Sequence, residues 1–201
     1  MKAILNNPAV YQLYQEMGGF FGARVVAIRE YLAIKPGARV IDIGCGPGHI
    51  VKHLPRGIDY TGFDIDPVGI AYAERHFGGS GRFLARSFDA AAARELAGAD
   101  VVTMNGVIHH MSDEDLAGTL QAVHDVLADD GVLFTLDGCY VPGQSRIAKW
   151  LLDNDRGTYV RNAEGYKRIL EARFSRVKVH LRDDLSRIPY TFAIGVAHKR
   201  G

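Results

Sequence analysis

Along the chain, apolar positions fall by turns at helical and at strand spacing, and the alternation repeats. Tyr11, Tyr14 and Met17 recur at helical spacing after Pro8, and Phe21, Val25, Ile28 and Leu32 do so again beyond the Gly-Gly pair at 18 and 19. Two short N-terminal helices are predicted within residues 1–34. "KPGARVIDIG" reads as a turn at Pro36-Gly37 and then a buried strand, Val40 to Ile43. "HIVKHL" predicts a short helix, and "YTGFD" a second strand ending on Asp64. In "DPVGIAYAERHF" Asp66 is placed to cap a helix, and Pro67 takes the first helical position, where its missing N–H costs nothing. "GRFLAR" and "DVVTMN" are strands around a helix in "AAARELA", and "GVLFTLD" is a fifth strand. Before it, "SDEDLAGTLQAVHDVL" carries Ser112 as cap and Leu116, Leu120, Val123 and Leu127 along one face.

Strands and helices in this rhythm need crossover connections, which generate a parallel sheet covered on both faces. The expected fold is α/β, a single doubly wound, Rossmann-like domain over 1–201. The rhythm breaks after Asp137. Residues 139–162 read as an insertion with a helix-like piece at "RIAKWLL", followed by a helix in "AEGYKRILEARF". "RVKVHL" and "YTFAIGVA" are separated only by residues 182–189, too short for a helical crossover, so they should pair antiparallel.

Composition narrows the function classes. The 201 residues are 47% hydrophobic, enough for a substantial core. Lys and Arg (24) nearly balance Asp and Glu (23), so no global basic field favours a nucleic-acid backbone. The balance is uneven along the chain: residues 139–201 carry 13 basic against 6 acidic groups. The start lacks an apolar signal core and no stretch is long enough to span a membrane, which predicts a cytoplasmic protein. Cys45 and Cys139 read as free thiols, and no histidine spacing suggests a metal.

The chemistry concentrates at "VIDIGCGPGHI", where Gly44, Gly46 and Gly48 alternate after the first strand. A dinucleotide fingerprint, G-x-G-x-x-G, needs its third glycine at position 49, which is His49. Asp64 stands twenty positions after Gly44 at the end of strand two, where a carboxylate can accept from both hydroxyls of a ribose. The ligand should therefore contain a nucleoside.

"VIDIGCGPG", "GFDID", "SFDA", "NGVIHHMSDEDL" and "LADDGVLFTLDG", in this order, resemble the motif set of the class I S-adenosylmethionine-dependent methyltransferases. The resemblance covers residues 38–138 and implies a seven-stranded sheet with the last strand reversed beside the fifth. It implies S-adenosylmethionine as cofactor and S-adenosylhomocysteine as product. Gly44, Cys45, Gly46 and Gly48 would form the loop against the methionine moiety, with Asp42 on the ammonium directly or through water. Asp64 would take the ribose and Ile65 one adenine face. Asp89 would accept from the adenine amino group beside Phe88, and Asn105 and Gly106 would offer backbone to the amino-acid end. Arg24 or Tyr14 is a further candidate for closing over the cofactor.

Methyl transfer to a hydroxyl needs a base, and histidine is the natural one near neutral pH. His110 is the first candidate, with His109 as its neighbour; Asp137 and Tyr140, just past strand five, could also face the acceptor. No Asn/Asp-Pro-Pro-Tyr sequence follows strand four, which argues against base amines of nucleic acid. The insertion mixes Tyr140, Trp150 and Tyr159 with Arg146, Lys149, Arg156 and Arg161. That suits a small acceptor bearing an anionic group, or contact with a lipid-like surface. O-methylation is favoured. The alternatives are a cofactor-binding regulator without turnover and, further off, a nicotinamide oxidoreductase.

Overall fold

Residues 18–155 and 157–199 are described by a computed structural model. The first predicted N-terminal helix, Tyr14 and Arg156 lie outside them. The second helix is α1, Phe20–Tyr31, which buries Phe20, Ala23, Ala27 and Ile28. There follow β1 (Arg39–Ile43), β2 (Asp59–Asp64), α2 (Pro67–Phe77), β3 (Arg82–Ala85), α3 (Ala90–Glu95) and β4 (Ala99–Asn105). Beyond these come α4 (Asp113–Val126), β5 (Leu127–Tyr140), α5 (Arg146–Asp153), β6 (Arg161–Asn162), α6 (Ala163–Glu171), β7 (Arg176–Arg182) and β8 (Phe192–His198).

The helix starts are chemically explicit. Asp66 accepts from the backbone N–H of Val68 and Gly69 with Pro67 behind it, and Ser112 accepts from Asp115. Each such cap stabilises its helix by about 1 kcal/mol, because the first N–H groups have no partner inside the helix.

The sheet runs β3-β2-β1-β4-β5-β8-β7, with β6 pairing on β5 off that path. The pairs among β3, β2, β1, β4 and β5 are parallel, and β8 runs antiparallel between β5 and β7. The reversed last strand beside the fifth is thus in place. Strand order reverses between β1 and β4, so the carboxyl ends of those strands form the crevice in which ligands of such sheets bind. Alternation along the strands divides the core: Ile41, Val102 and Leu133 face α3, α4 and α6, while Val40, Val101 and Phe134 face α1, α2 and α5.

Three local expectations are revised. "HIVKHL" forms a 3-10 turn over His49–His53 instead of an α-helix: its start, Gly48, is left-handed and caps nothing, and Pro55 bars continuation one residue after Leu54. The fifth strand begins at Leu127, with a register shift between Ala99 and Val101 that accommodates "ADDG". The insertion contributes β6, which pairs Cys139 with Arg161 and so ties the segment to the end of β5. Two residues carry no periodicity, so this strand had no sequence signal.

Candidate functional site

The loop after β1 is shaped by positive backbone angles. Gly44, Gly46 and Gly48 have φ of 76°, 52° and 74°, a region that L side chains rarely adopt. Their surroundings differ. A Cβ on Gly44 would lie 2.3 Å from Val107 Cγ2, and one on Gly48 would lie 2.7 Å from the Phe83 ring. A Cβ on Gly46 would meet nothing within 4 Å among the described residues. Gly44 and Gly48 are therefore glycine for packing, whereas Gly46 leaves an open cradle. Asp64 holds this loop: its Oδ2 accepts from Gly46 N at 2.8 Å and its Oδ1 from Asp66 N at 2.9 Å. Cys45 turns toward β2, where a Cβ on Gly62 would meet its Sγ at 2.7 Å, and burial pushes its thiol pKa up.

Behind the loop lies a buried polar network. Asp42, 3% exposed, accepts from Tyr60 at 2.8 Å and from Thr103 at 2.6 Å. Burial raises its pKa, against those hydrogen bonds and the nearby charge of Arg24. Asn105 at the end of β4 is buried, and its Oδ1 has no hydrogen-bond partner among the described residues. An unsatisfied buried acceptor costs about 1–3 kcal/mol, so it is a natural place for a ligand donor. Gly106 has φ of 71°, and a Cβ there would come within 3.4 Å of the Arg24 guanidinium.

On the far side of Asp64, Ile65 is 77% exposed, an apolar side chain held out beside the cradle. Phe88 is instead buried in the core, its ring edge-on to Phe63 at 5.2 Å. Asp89 is exposed and caps α3, accepting from Ala91 and Ala92 through Oδ1. Those backbone hydrogen bonds lower its pKa.

Past β4, a 3-10 turn over Ile108–His110 carries the two histidines. His109 is 7% exposed, and its Nδ1 lies 2.7 Å from Asp137 Oδ1, which also accepts from the His109 backbone N–H at 3.2 Å. Its Nε2 lies 3.2 Å from Asp155 Oδ1. Burial pulls the imidazole pKa down, but the hydrogen bonds and charges of Asp137 and Asp155 outweigh it and raise the pKa to about 9. Asp137 is 2% exposed, and its Oδ2 is buried with no partner among the described residues. A cleft over this group is lined by Phe20, Arg24, Leu136, Tyr190 and Phe192. Phe20 meets Tyr190 edge-on at 4.8 Å, which forms an aromatic wall.

The two histidines are placed differently. His110 is exposed, its ring lies tilted against His109 at 4.2 Å, and it is not among the residues lining the cleft. Tyr140 also points elsewhere: its hydroxyl donates to Asp153 at 2.9 Å, and burial with that contact raises its pKa to about 12. Arg161, read as a contact for an anionic acceptor, is engaged in holding the histidine turn. It binds Asp113 and the carbonyl oxygens of Ile108, Met111 and Tyr159. Lys149 pairs with Asp153. Asp155 was missed, because it is one acidic residue in an insertion with no spacing relation to His109. Gly157 beside it offers a retrospective signal, since a Cβ there would lie 2.0 Å from His109 Cδ2. His109, His110 and Asp155 also bring one possible metal-ligand atom each within 4.8 Å of one another. At His109 Nε2, however, the raised pKa favours a proton.

The sheet reverses beside a glycine loop held by Asp64, with an aromatic cleft over the histidine turn. A family model described as a methyltransferase domain matches residues 18–173, and the chain belongs to that family. Its fold is the Rossmann-like fold of the solved methyltransferases it resembles. No curated protein matches it by sequence. Among solved structures it is similar to the pyocyanin biosynthetic protein PhzM (TM-score 0.71, 13% identity), covering 97% of this chain and 61% of that one. Human N-acetylserotonin methyltransferase, in complex with SAM, matches at TM-score 0.67 and 19% identity over 90% of this chain and 52% of that one. The plantazolicin methyltransferase BamL, in complex with a triazolic desmethylPZN analog and SAH, matches at TM-score 0.65 and 14% identity, over 99% and 94% of the two chains. The chain thus spans about 61% of the length of PhzM, and these likenesses concern the fold. Among the described residues no helix is long and apolar enough to cross a membrane.

Proposed function

We propose that the protein moves a methyl group from S-adenosylmethionine to an oxygen of a small organic acceptor held beside His109. The observation that carries this reading is the His109–Asp137 pair at 2.7 Å, lining an aromatic cleft one short turn beyond Asn105 and Gly106. When bound, S-adenosylmethionine supplies an electrophilic methyl group on a sulfonium and leaves as S-adenosylhomocysteine.

Every other requirement falls on this chain. The open face at Gly46 admits the methionine moiety, and Asn105 Oδ1 and Asp42 lie at the amino-acid end. Both Asp42 oxygens already accept buried hydroxyls, which favours the route through water. Asp64 keeps lone pairs for ribose hydroxyls while it tethers the loop, Ile65 covers an adenine face, and Asp89 borders the adenine edge. On the acceptor side, Asp137 fixes Nδ1 and turns Nε2 toward the cleft, where the imidazolium, its pKa raised to about 9, donates Nε2–H to an acceptor oxygen that arrives ionised. Phe20, Tyr190 and Phe192 exclude water and hold the acceptor in line, where orientation supplies much of the rate. Balanced charge favours a small molecule over nucleic acid.

Calorimetric titration with S-adenosylhomocysteine, beside a parallel run with NAD, tests the cofactor half. A turnover screen on hydroxylated and acidic small molecules, with His109→Ala alongside, tests the acceptor half. Saturable binding of S-adenosylhomocysteine alone and loss of turnover in the variant are expected. Absent binding, or equal turnover of the two proteins, would overturn the reading.

A further inference from the structure

The contact between Asp155 and His109 plays no part in that mechanism and stands in its way. Asp155 Oδ1 lies 3.2 Å from Nε2, the ring nitrogen opposite Asp137 and the one an acceptor must reach. An oxygen of the protein therefore already stands where an acceptor oxygen has to stand. The two carboxylates are held differently. Asp137 belongs to β5 and is almost fully buried. Asp155 follows α5 in the insertion and is only partly buried; its Oδ1 is supported by Gly157 N at 2.8 Å, a neighbour two residues away. A side-chain rotation frees Nε2 without disturbing the sheet.

Charge then selects the ligand. With Asp155 in place the imidazole faces a carboxylate on each nitrogen. An incoming oxyanion renews at Nε2 the ion pair that Asp155 gives up, whereas a cationic amine would set two positive groups together in a cleft walled by Phe20, Tyr190 and Phe192.

We propose that Asp155 is an internal stand-in for the acceptor: its carboxylate holds the place on His109 Nε2 that an acidic oxygen of the acceptor takes. The acceptor is accordingly an oxygen acid, a carboxylate or acidic hydroxyl on an apolar body, and it binds by displacing Asp155. This rests on His109 belonging to the acceptor side of the cleft.

Benzoate is a suitable probe, titrated calorimetrically into full-length protein loaded with S-adenosylhomocysteine, with benzamide as the uncharged analogue. If Asp155 is swung away in about one molecule in ten, Asp155→Ala should bind benzoate about tenfold more tightly than the wild type. Benzamide should gain much less, and Asp153→Asn, which removes a nearby carboxylate paired with Lys149, should change benzoate affinity less than about twofold. In the wild type, benzoate should shift the His109 Nε2 resonance in nitrogen NMR. Asp155→Asn keeps the side chain's shape and serves if the alanine variant does not fold. Benzoate affinity indifferent to Asp155, or an equal gain for benzamide, would overturn this proposal alone. Failure of S-adenosylhomocysteine to bind would overturn it together with the methyl-transfer reading.

Discussion

The loop after β1 and the turn after β4 touch each other, Gly44 against Val107, yet they are built from different materials. On the loop side three glycines at positive φ and one tethering carboxylate, Asp64, define a shape. On the turn side an imidazole between two carboxylates defines a charge state. Shape at the loop admits no added atom at Gly44 or Gly48, whereas charge at the turn depends on which partners are present. Variants should therefore fail in different observables: folding and cofactor affinity on one side, turnover and pH dependence on the other.

The largest effect is expected at the turn. His109→Ala should lower kcat by about 10²–10⁴-fold, or roughly 3–5 kcal/mol, with little change in S-adenosylhomocysteine affinity by calorimetry. A matching loss of cofactor affinity would erase the division between the two sides. The same residue should mark the stability profile. Its folded-state pKa is raised from 6.5 to about 9, so its pairing stabilises the protein fully below about pH 6.5 and is lost as the pH rises through about 9. Urea unfolding of the wild type should show that decline, and His109→Ala should show a flatter profile over the same window.

At the loop the contrast lies between two glycines of one motif. Gly44→Ala adds left-handed strain of about 1–2 kcal/mol to overpacking of about 1–3 kcal/mol against Val107. Its unfolding midpoint should fall accordingly. Gly46→Ala carries only the strain, because among the described residues no atom lies within 4 Å of the added carbon. It should lose less stability and more cofactor affinity. Equal losses of stability would mean that the Gly46 face is not the cradle.

This division also explains what the sequence revealed. The loop was legible because its parts are contiguous and glycine at alternate positions has few other reasons, and β2 supplied Asp64 at the expected distance. The doubly wound sheet and the antiparallel last pair followed from periodicity and connection length. The acceptor side was not legible in the same way. His109, Asp137 and Asp155 come from three separate segments, and Phe20, Tyr190 and Phe192 from the two ends of the described chain. Two adjacent histidines cannot be ranked by spacing, since the choice depends on how the 3-10 turn directs them. Arg161 looked like an anion contact because guanidinium chemistry suits one, and that same chemistry made it the clasp on the turn's carbonyls.

A smaller effect belongs to Asp64→Ala. Each charged hydrogen bond lost to a ribose hydroxyl should weaken S-adenosylhomocysteine binding by about 1.5–3 kcal/mol, and the untethered loop should add a modest loss of stability. Unchanged affinity would place the ribose elsewhere along β2.

The smallest effect is expected from His110→Ala, and it tests the comparison most directly. His110 shares the turn and its ring lies tilted against His109 at 4.2 Å, but it is exposed and is not among the residues lining the cleft. Removing its ring exposes one face of His109 and takes away a charge contact with Asp155 while leaving the Asp137 pair in place, so stability should change by less than about 0.5 kcal/mol and kcat by less than about threefold. A loss of turnover comparable to that of His109→Ala would show that the acceptor approaches from the outer face of the turn. The catalytic pair would then be His110 and His109, and the Asp137 contact would serve to hold the turn instead of aiming Nε2 into the cleft.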